Sequence, residues 1–179
     1  MPQFSREVPK DPRGSAFPIV RTPANGHLQA IVTSPDLIGC YTHYFKGRTA
    51  PCEGKRCEAC QAGMPYRWHA YQSALTTKDH LHCLFECTAQ AAENFTEYRE
   101  AHGSLRGCLF QARRLHSRPN GRIIIITKPA DLKEIVLPAP PDLISCLSIL
   151  WGFSTDDITA DTKNPEKKTT QAFHTPPKE

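Results

Sequence analysis

Between Tyr66 and Arg118 there is no proline, although the 179-residue chain has 16 of them. Five fall in the first 23 residues and three more in Pro138-Ala-Pro-Pro141. Proline interrupts helices and central strands, so the regular structure is expected in the middle of the chain. We read residues 1–25 as a disordered Pro-rich tail, 26–152 as one domain, and 153–179, which lack apolar periodicity, as a second disordered tail. Long apolar runs are missing too. No stretch suits a membrane span, and the opening Met-Pro-Gln-Phe-Ser-Arg-Glu lacks the basic-then-apolar order of a signal peptide. A cytoplasmic protein with no membrane partner is expected. Catalytic signatures are absent as well: there is no Gly-rich phosphate loop, His-Glu-x-x-His, Gly-x-Ser-x-Gly or Pro-Cys-x-x-Cys. The expectation is that the chain is not an enzyme.

Charge is unevenly spread. Residues 37–137 hold 14 Lys/Arg against 9 Asp/Glu, a surplus of +5, while residues 1–36 contribute +1 and 138–179 contribute −2, giving the net +4. The folded middle is the basic part, which suits a nucleic-acid surface without establishing one.

Cysteine, by contrast, is concentrated. His43, Cys52, Cys57 and Cys60 read as H-x8-C-x4-C-x2-C, three thiolates and an imidazole, the set that tetrahedral structural zinc favours. Cys57-Glu-Ala-Cys60 is the knuckle, where turn N–H groups can bond the sulfurs. Four protein ligands leave no position for an activated water, so one structural zinc that shapes a loop is expected. A disulfide or a redox Cys-x-x-Cys is the alternative for these thiols, and Cys40, His69 and His80 compete with His43. The cysteines outside the loop, Cys40, Cys83, Cys87, Cys108 and Cys146, sit in apolar runs and read as small buried hydrophobes.

Local patterns predict mainly β structure. Asp36–Phe45 reads as a strand, preceded by a short one at 28–33; the cysteine loop follows; 66–77 and 80–87 form a hairpin with Leu81, Cys83, Phe85 and Cys87 on one side. Thr88 is a helix N-cap and Gly103 its stop, with Ala91, Phe95 and Tyr98 between them at helical spacing. A second hairpin, 106–116 with 122–127, turns at Pro119-Asn120-Gly121. A short helix starting at Pro141 carries the stripe Leu143, Ile144, Leu147, Leu150, Trp151. The order matches a five-stranded OB-fold-like barrel with one helix between strands 3 and 4 and the zinc loop between strands 1 and 2.

His43, Cys52, Cys57 and Cys60 in an early loop of such a barrel resemble the zinc-containing helix-destabilising single-stranded DNA-binding proteins of T-even bacteriophages. Lys46-Gly-Arg-Thr-Ala-Pro-Cys52 and Gly63-Met-Pro-Tyr-Arg-Trp68 look like zinc-loop OB proteins of phages and mobile elements. The resemblance spans about Ile38 to Lys128. The ligand spacings are shorter here, and the tail after Phe153 has five acidic and four basic residues rather than a strongly acidic stretch. It implies a sequence-tolerant single-stranded DNA binder, with RNA also compatible, acting in replication or recombination.

Such binding needs cations for phosphates and flat rings for bases. Lys46, Arg48, Arg67, Trp68, Tyr71, Arg113, Arg118 and Arg122 are the candidates. We expect Arg67 and Tyr71 to face outward and Trp68 to lie inward or at the rim. Of Arg113 and Arg114, which alternate, at most one faces the groove. The alternative function is an adaptor of a mobile-element assembly, recruiting protein or a second copy through 143–151.

Overall fold

The computed structural model describes residues 17–118 and 121–152. Residues 1–16 and 153–179, which hold most of the first expected tail and all of the second, and Pro119 and Asn120 of the expected turn lie outside the described residues. In chain order the elements are β1 (Ile19–Arg21), β2 (His27–Val32), β3 (Ile38–Phe45), β4 (Arg48–Pro51), α1 (Glu58–Gln61), β5 (Tyr66–Thr76), β6 (His82–Thr88), α2 (Ala89–His102), β7 (Cys108–Arg114), β8 (Ile123–Pro129) and α3 (Leu143–Trp151). The chain is mainly β, as expected. Among the described residues the first strand is β1, Ile19–Arg21.

The eleven-residue β5 organises the sheet. On one side it pairs antiparallel with β6; on the other, β2 takes its end (Ala30 opposite Thr76) and β3 its beginning (His43 opposite Tyr66). Between β2 and β3 the chain stays attached through Thr33 N–H to Ser73 O, 2.8 Å. β2 also pairs with β7, and β7 with β8.

Among the described residues eight strands form an open sheet, not the closed five-stranded barrel expected. The reason lies at the edge of β6. β1 occupies that edge in parallel, with Ile19 opposite Leu84 and Arg21 opposite Glu86, so the hydrogen-bonding groups that β8 would need are taken. Between β1 and the β7–β8 connection the gap is spanned by Arg114, whose guanidinium donates to Thr22 O and Gly121 O, both at 3.3 Å.

The main core lies under α2. Phe110 packs on Phe85 (centroids 4.7 Å apart) and Phe95 (5.1 Å), with Ala70, Ala74, Cys87 and Cys108 around them. Tilted and edge-on ring pairs of this kind add to simple area burial. α2 begins and ends where its caps predict: Thr88 is extended, and Gly103 takes φ 78°, the left-handed conformation that glycine adopts without strain.

A second core covers the opposite face of β5 and β6. Leu143 and Leu147 of α3 bury Tyr71 and Leu84, and the Trp151 ring meets Tyr71 edge-on at 5.5 Å. Asp142 caps α3, its carboxylate accepting from Ile144 N–H at 3.1 Å. The helix is therefore part of the fold. Arg106 anchors the segment before it, donating to Leu137 O at 3.1 Å and Pro138 O at 3.0 Å.

Candidate metal centre and the adjoining basic cleft

The metal-ligand set is assembled by a hairpin that the sequence patterns missed. β3 turns into β4 through Lys46 and Gly47, both at positive φ (50° and 79°), with Phe45 opposite Arg48. Two residues with positive φ are the signature of a type I′ turn, whose twist matches that of its strands. His43 reaches the cluster from β3, and Cys52 follows directly after β4, its N–H bonded to Tyr41 O at 2.8 Å. A short 3-10 turn and α1 then carry Cys57 and Cys60 back to the same point.

One ligand atom from each of His43, Cys52, Cys57 and Cys60 lies within 4.8 Å of all the others, so the four can hold one metal ion. Cys52 Sγ and Cys60 Sγ are 3.5 Å apart, and Cys60 Sγ is 3.3 Å from His43 Nε2. In a tetrahedron with Zn–S bonds of ~2.3 Å the sulfurs sit about 3.8 Å apart, close to this spacing. His43 Nδ1 lies 3.1 Å from Pro65 O, so its proton belongs on Nδ1 and the Nε2 lone pair faces the thiols, as in a metal-bound imidazole whose other nitrogen donates to a backbone carbonyl. The backbone N–H of Cys60, then that of Glu53, pulls the Cys57 thiol down to about 7. Contact with Cys52 pushes the Cys60 thiol up to about 11. Three thiols this close cannot ionise together without a cation.

The competitors are placed elsewhere. His69 Nδ1 is engaged with Thr42 Oγ1 at 2.7 Å, and Cys40 packs in the second core.

Beside the metal hairpin, three adjoining concavities share residues. The largest, about 920 Å³, runs between the start of β5, the β6–α2 junction, β1 and the β7–β8 connection, and includes Arg21, Arg67, Trp68, His69, Arg114 and Arg122. A second, about 330 Å³, continues from Arg21 to Tyr44 and Arg48, and a third, about 340 Å³, joins Tyr44 to Arg67 and His69. Their lining holds five arginines and one carboxylate, Glu86. That carboxylate is already committed: Arg21 Nη2 donates to it at 3.1 Å and Tyr71 OH at 3.1 Å. Across Trp68 the charge reverses, since the neighbouring groove carries Glu93, Glu97 and Glu100 of α2.

Each candidate can now be located. Arg48, Arg67 and Arg122 line the concavities, and Trp68 forms the ridge of the largest. Lys46 is exposed at the hairpin tip and ion-paired with Glu58. Tyr71 is 0% exposed, so it cannot stack on a base; the outward orientation expected for it fails because α3 covers that stretch of β5. Arg113 is exposed but lies outside the concavities, where Arg114 stands instead, and Arg118 lines none of them. Three exposed rings flank the hairpin, Tyr41 (53% exposed), Tyr44 (68%) and Tyr66 (57%), with Tyr41 and Tyr66 edge-on at 5.1 Å; of these, Tyr41 is the one the sequence patterns did not single out. The alternation of β3 puts Tyr44 opposite in face to the buried His43.

Among the described residues no helix is long and apolar enough to cross a membrane. No known protein family, curated protein or solved structure matches this chain, and its metal cluster and basic cleft have to be read from their own chemistry.

Proposed function

We propose that this protein binds single-stranded nucleic acid, DNA in the first instance, along the arginine-lined concavity, with one structural zinc on His43, Cys52, Cys57 and Cys60 holding the flanking hairpin. One observation carries this reading: Arg21, Arg48, Arg67, Arg114 and Arg122, from four separate strands and a turn, line three concavities that share residues, and the one carboxylate in that lining among the described residues, Glu86, is already paired. With Arg21 paired to Glu86, four guanidinium groups of this lining have no carboxylate beside them in it, a surplus of positive charge that a polyanion would offset. Tyr44, His69 and Trp68 interleave with them as flat surfaces for bases.

The strand order supports an opened OB-like barrel as the scaffold. Counting β2 with β3 as one bent strand, the succession of strand, β5, β6, α2, β7, β8 carries the pairings of that fold except the closing one, and the hollow lies beside the metal hairpin and the β7–β8 connection, where such barrels hold ligands.

The test is fluorescence anisotropy with labelled oligo-dT at two salt concentrations, on protein whose zinc is quantified. Affinity that falls steeply with salt and is lost in Arg67→Ala supports the reading; one equivalent of zinc with no strand binding rejects it. A second reading, an adaptor that binds protein, is favoured by the exposed Ile144, Ile149 and Leu150 of α3, and it predicts salt-insensitive association abolished by Ile149→Glu, a position outside the arginine-lined concavities.

A further inference from the structure

We infer that the largest part of the cleft contains a dedicated phosphate subsite at the N-terminus of α2, in which Thr22, Arg67 and Arg122 fix a single phosphate group. Three independent observations converge there. First, Thr88, Ala89 and Gln90 line the cleft, so the opening turn of a fourteen-residue helix faces it. The first backbone N–H groups of a helix have no intrahelical acceptor and carry the positive end of its dipole. The usual substitutes are missing: Thr88 makes no side-chain cap bond, and the first turn holds no acidic residue. An anion therefore finds this end unclaimed.

Second, Thr22 lines the same cleft, is 3% exposed, and its Oγ1 has no hydrogen-bond partner. A buried hydroxyl without a partner costs free energy unless a ligand completes it. Third, the charge is in place. Among the described residues neither Arg67 nor Arg122 forms an ion pair, whereas Arg21 is spent on Glu86 and Arg114 on the carbonyls of Thr22 and Gly121. Two arginines, a hydroxyl and helix N–H groups make up a phosphate-binding set. The backbone conformation that presents Thr22 is held by β1, the strand that keeps the sheet open, so the opening of the sheet and the subsite have one origin.

The chemistry is shared by an internal phosphodiester and by a terminal phosphate, and the subsite takes its strand from the function proposed above but not its affinity for the anion. The full-length zinc-loaded chain, labelled with 15N, is titrated with inorganic phosphate and, in parallel, with chloride at matched ionic strength. Saturable shifts of the Ala89 and Gln90 amides with phosphate alone are expected. Arg67→Gln and Arg122→Gln should each weaken that response about tenfold, as loss of a charge-assisted hydrogen bond does. Thr22→Val should weaken it without loss of folding, since a methyl group replaces a hydroxyl that has no partner in the protein. Shifts that fail to saturate, match those of chloride, or survive the three substitutions would overturn the subsite.

Oligo-dT with and without a 5′-phosphate separates the sources. Tighter binding of the phosphorylated strand assigns the subsite to a strand end, and equal binding with the same amide shifts assigns it to an internal diester. Phosphate binding without oligonucleotide binding rejects only the strand reading; oligonucleotide binding with Ala89 and Gln90 unmoved rejects only the subsite.

Discussion

Gly39 lies directly against the Trp68 indole: a Cβ added at Gly39 would overlap Cζ2, Cε2 and Cη2 of that ring. The glycine is thus the floor on which Trp68 rests as it divides the basic cleft from the acidic groove. Gly39→Ala is expected to push the indole out of place, with a cost of about 2 kcal/mol from overpacking. Urea unfolding followed by tryptophan emission measures both consequences. A variant with unchanged midpoint and spectrum would show that the ring does not depend on this contact.

Tyr71 and Arg67 stand four residues apart on β5 yet should respond in opposite ways. Tyr71→Phe removes the buried hydrogen bond to Glu86 and is expected to lower stability by about 1 kcal/mol while leaving oligonucleotide affinity unchanged. Arg67→Ala, at an exposed position, should leave the melting transition in place and weaken binding. Anisotropy and thermal melts on the two variants check the pair.

Salt slopes can separate the arginines. Each phosphate contact on a single strand contributes about 0.7 to the slope of log K against log salt. Arg48→Ala and Arg122→Ala should each flatten it by roughly that amount, whereas Arg113→Ala, outside the concavities, should not change it.

Zinc removal is expected to act locally. The four ligands sit on 43–60, and none belongs to the cluster around Phe85, Phe95 and Phe110. Chelation should release one equivalent of zinc and expose the amides of β3 and β4 to exchange while those of α2 and β7 stay protected. Cys57→Ala should reproduce this without chelator. Loss of protection across the whole chain would instead make the metal necessary for global folding, as it is in small zinc domains.

Acid should destabilise the fold partly through His82. Burial, reinforced by Arg106, lowers its pKa below the usual 6.5, and its Nε2 lies 2.9 Å from Thr33 Oγ1. A base whose folded pKa is depressed takes up its proton more readily when unfolded, so its contribution is present above pH 6.5 and is lost as pH falls below that value. Denaturation curves between pH 7.5 and about 5 should slope less for His82→Gln than for the native chain.

Local order was legible wherever neighbours in sequence suffice. Helix α2 follows from Thr88, Gly103 and the apolar spacing between them, and the Cys57–Cys60 knuckle from its own spacing. The β3–β4 hairpin was hidden because Lys46-Gly47 is a less obvious positive-φ pair than Asn-Gly. On β5, Arg67 and Tyr71 were expected to face outward together, but a face that begins exposed at Arg67 is sealed by α3 at Tyr71, about 75 residues along the chain.

From its residues alone, this chain determined the four candidate metal donors, its mainly β character and the surplus of positive charge in its middle, because these depend on composition and on spacings of a few positions. Tertiary structure alone decided that the sheet stays open, that Arg114 rather than Arg113 borders the cleft, and that Arg21 neutralises Glu86. Those outcomes join residues 92 positions apart (Thr22 and Arg114) and 65 apart (Arg21 and Glu86). Strand periodicity fixes which side chains share a face, but which face becomes covered depends on where distant segments such as β1 and α3 come to rest.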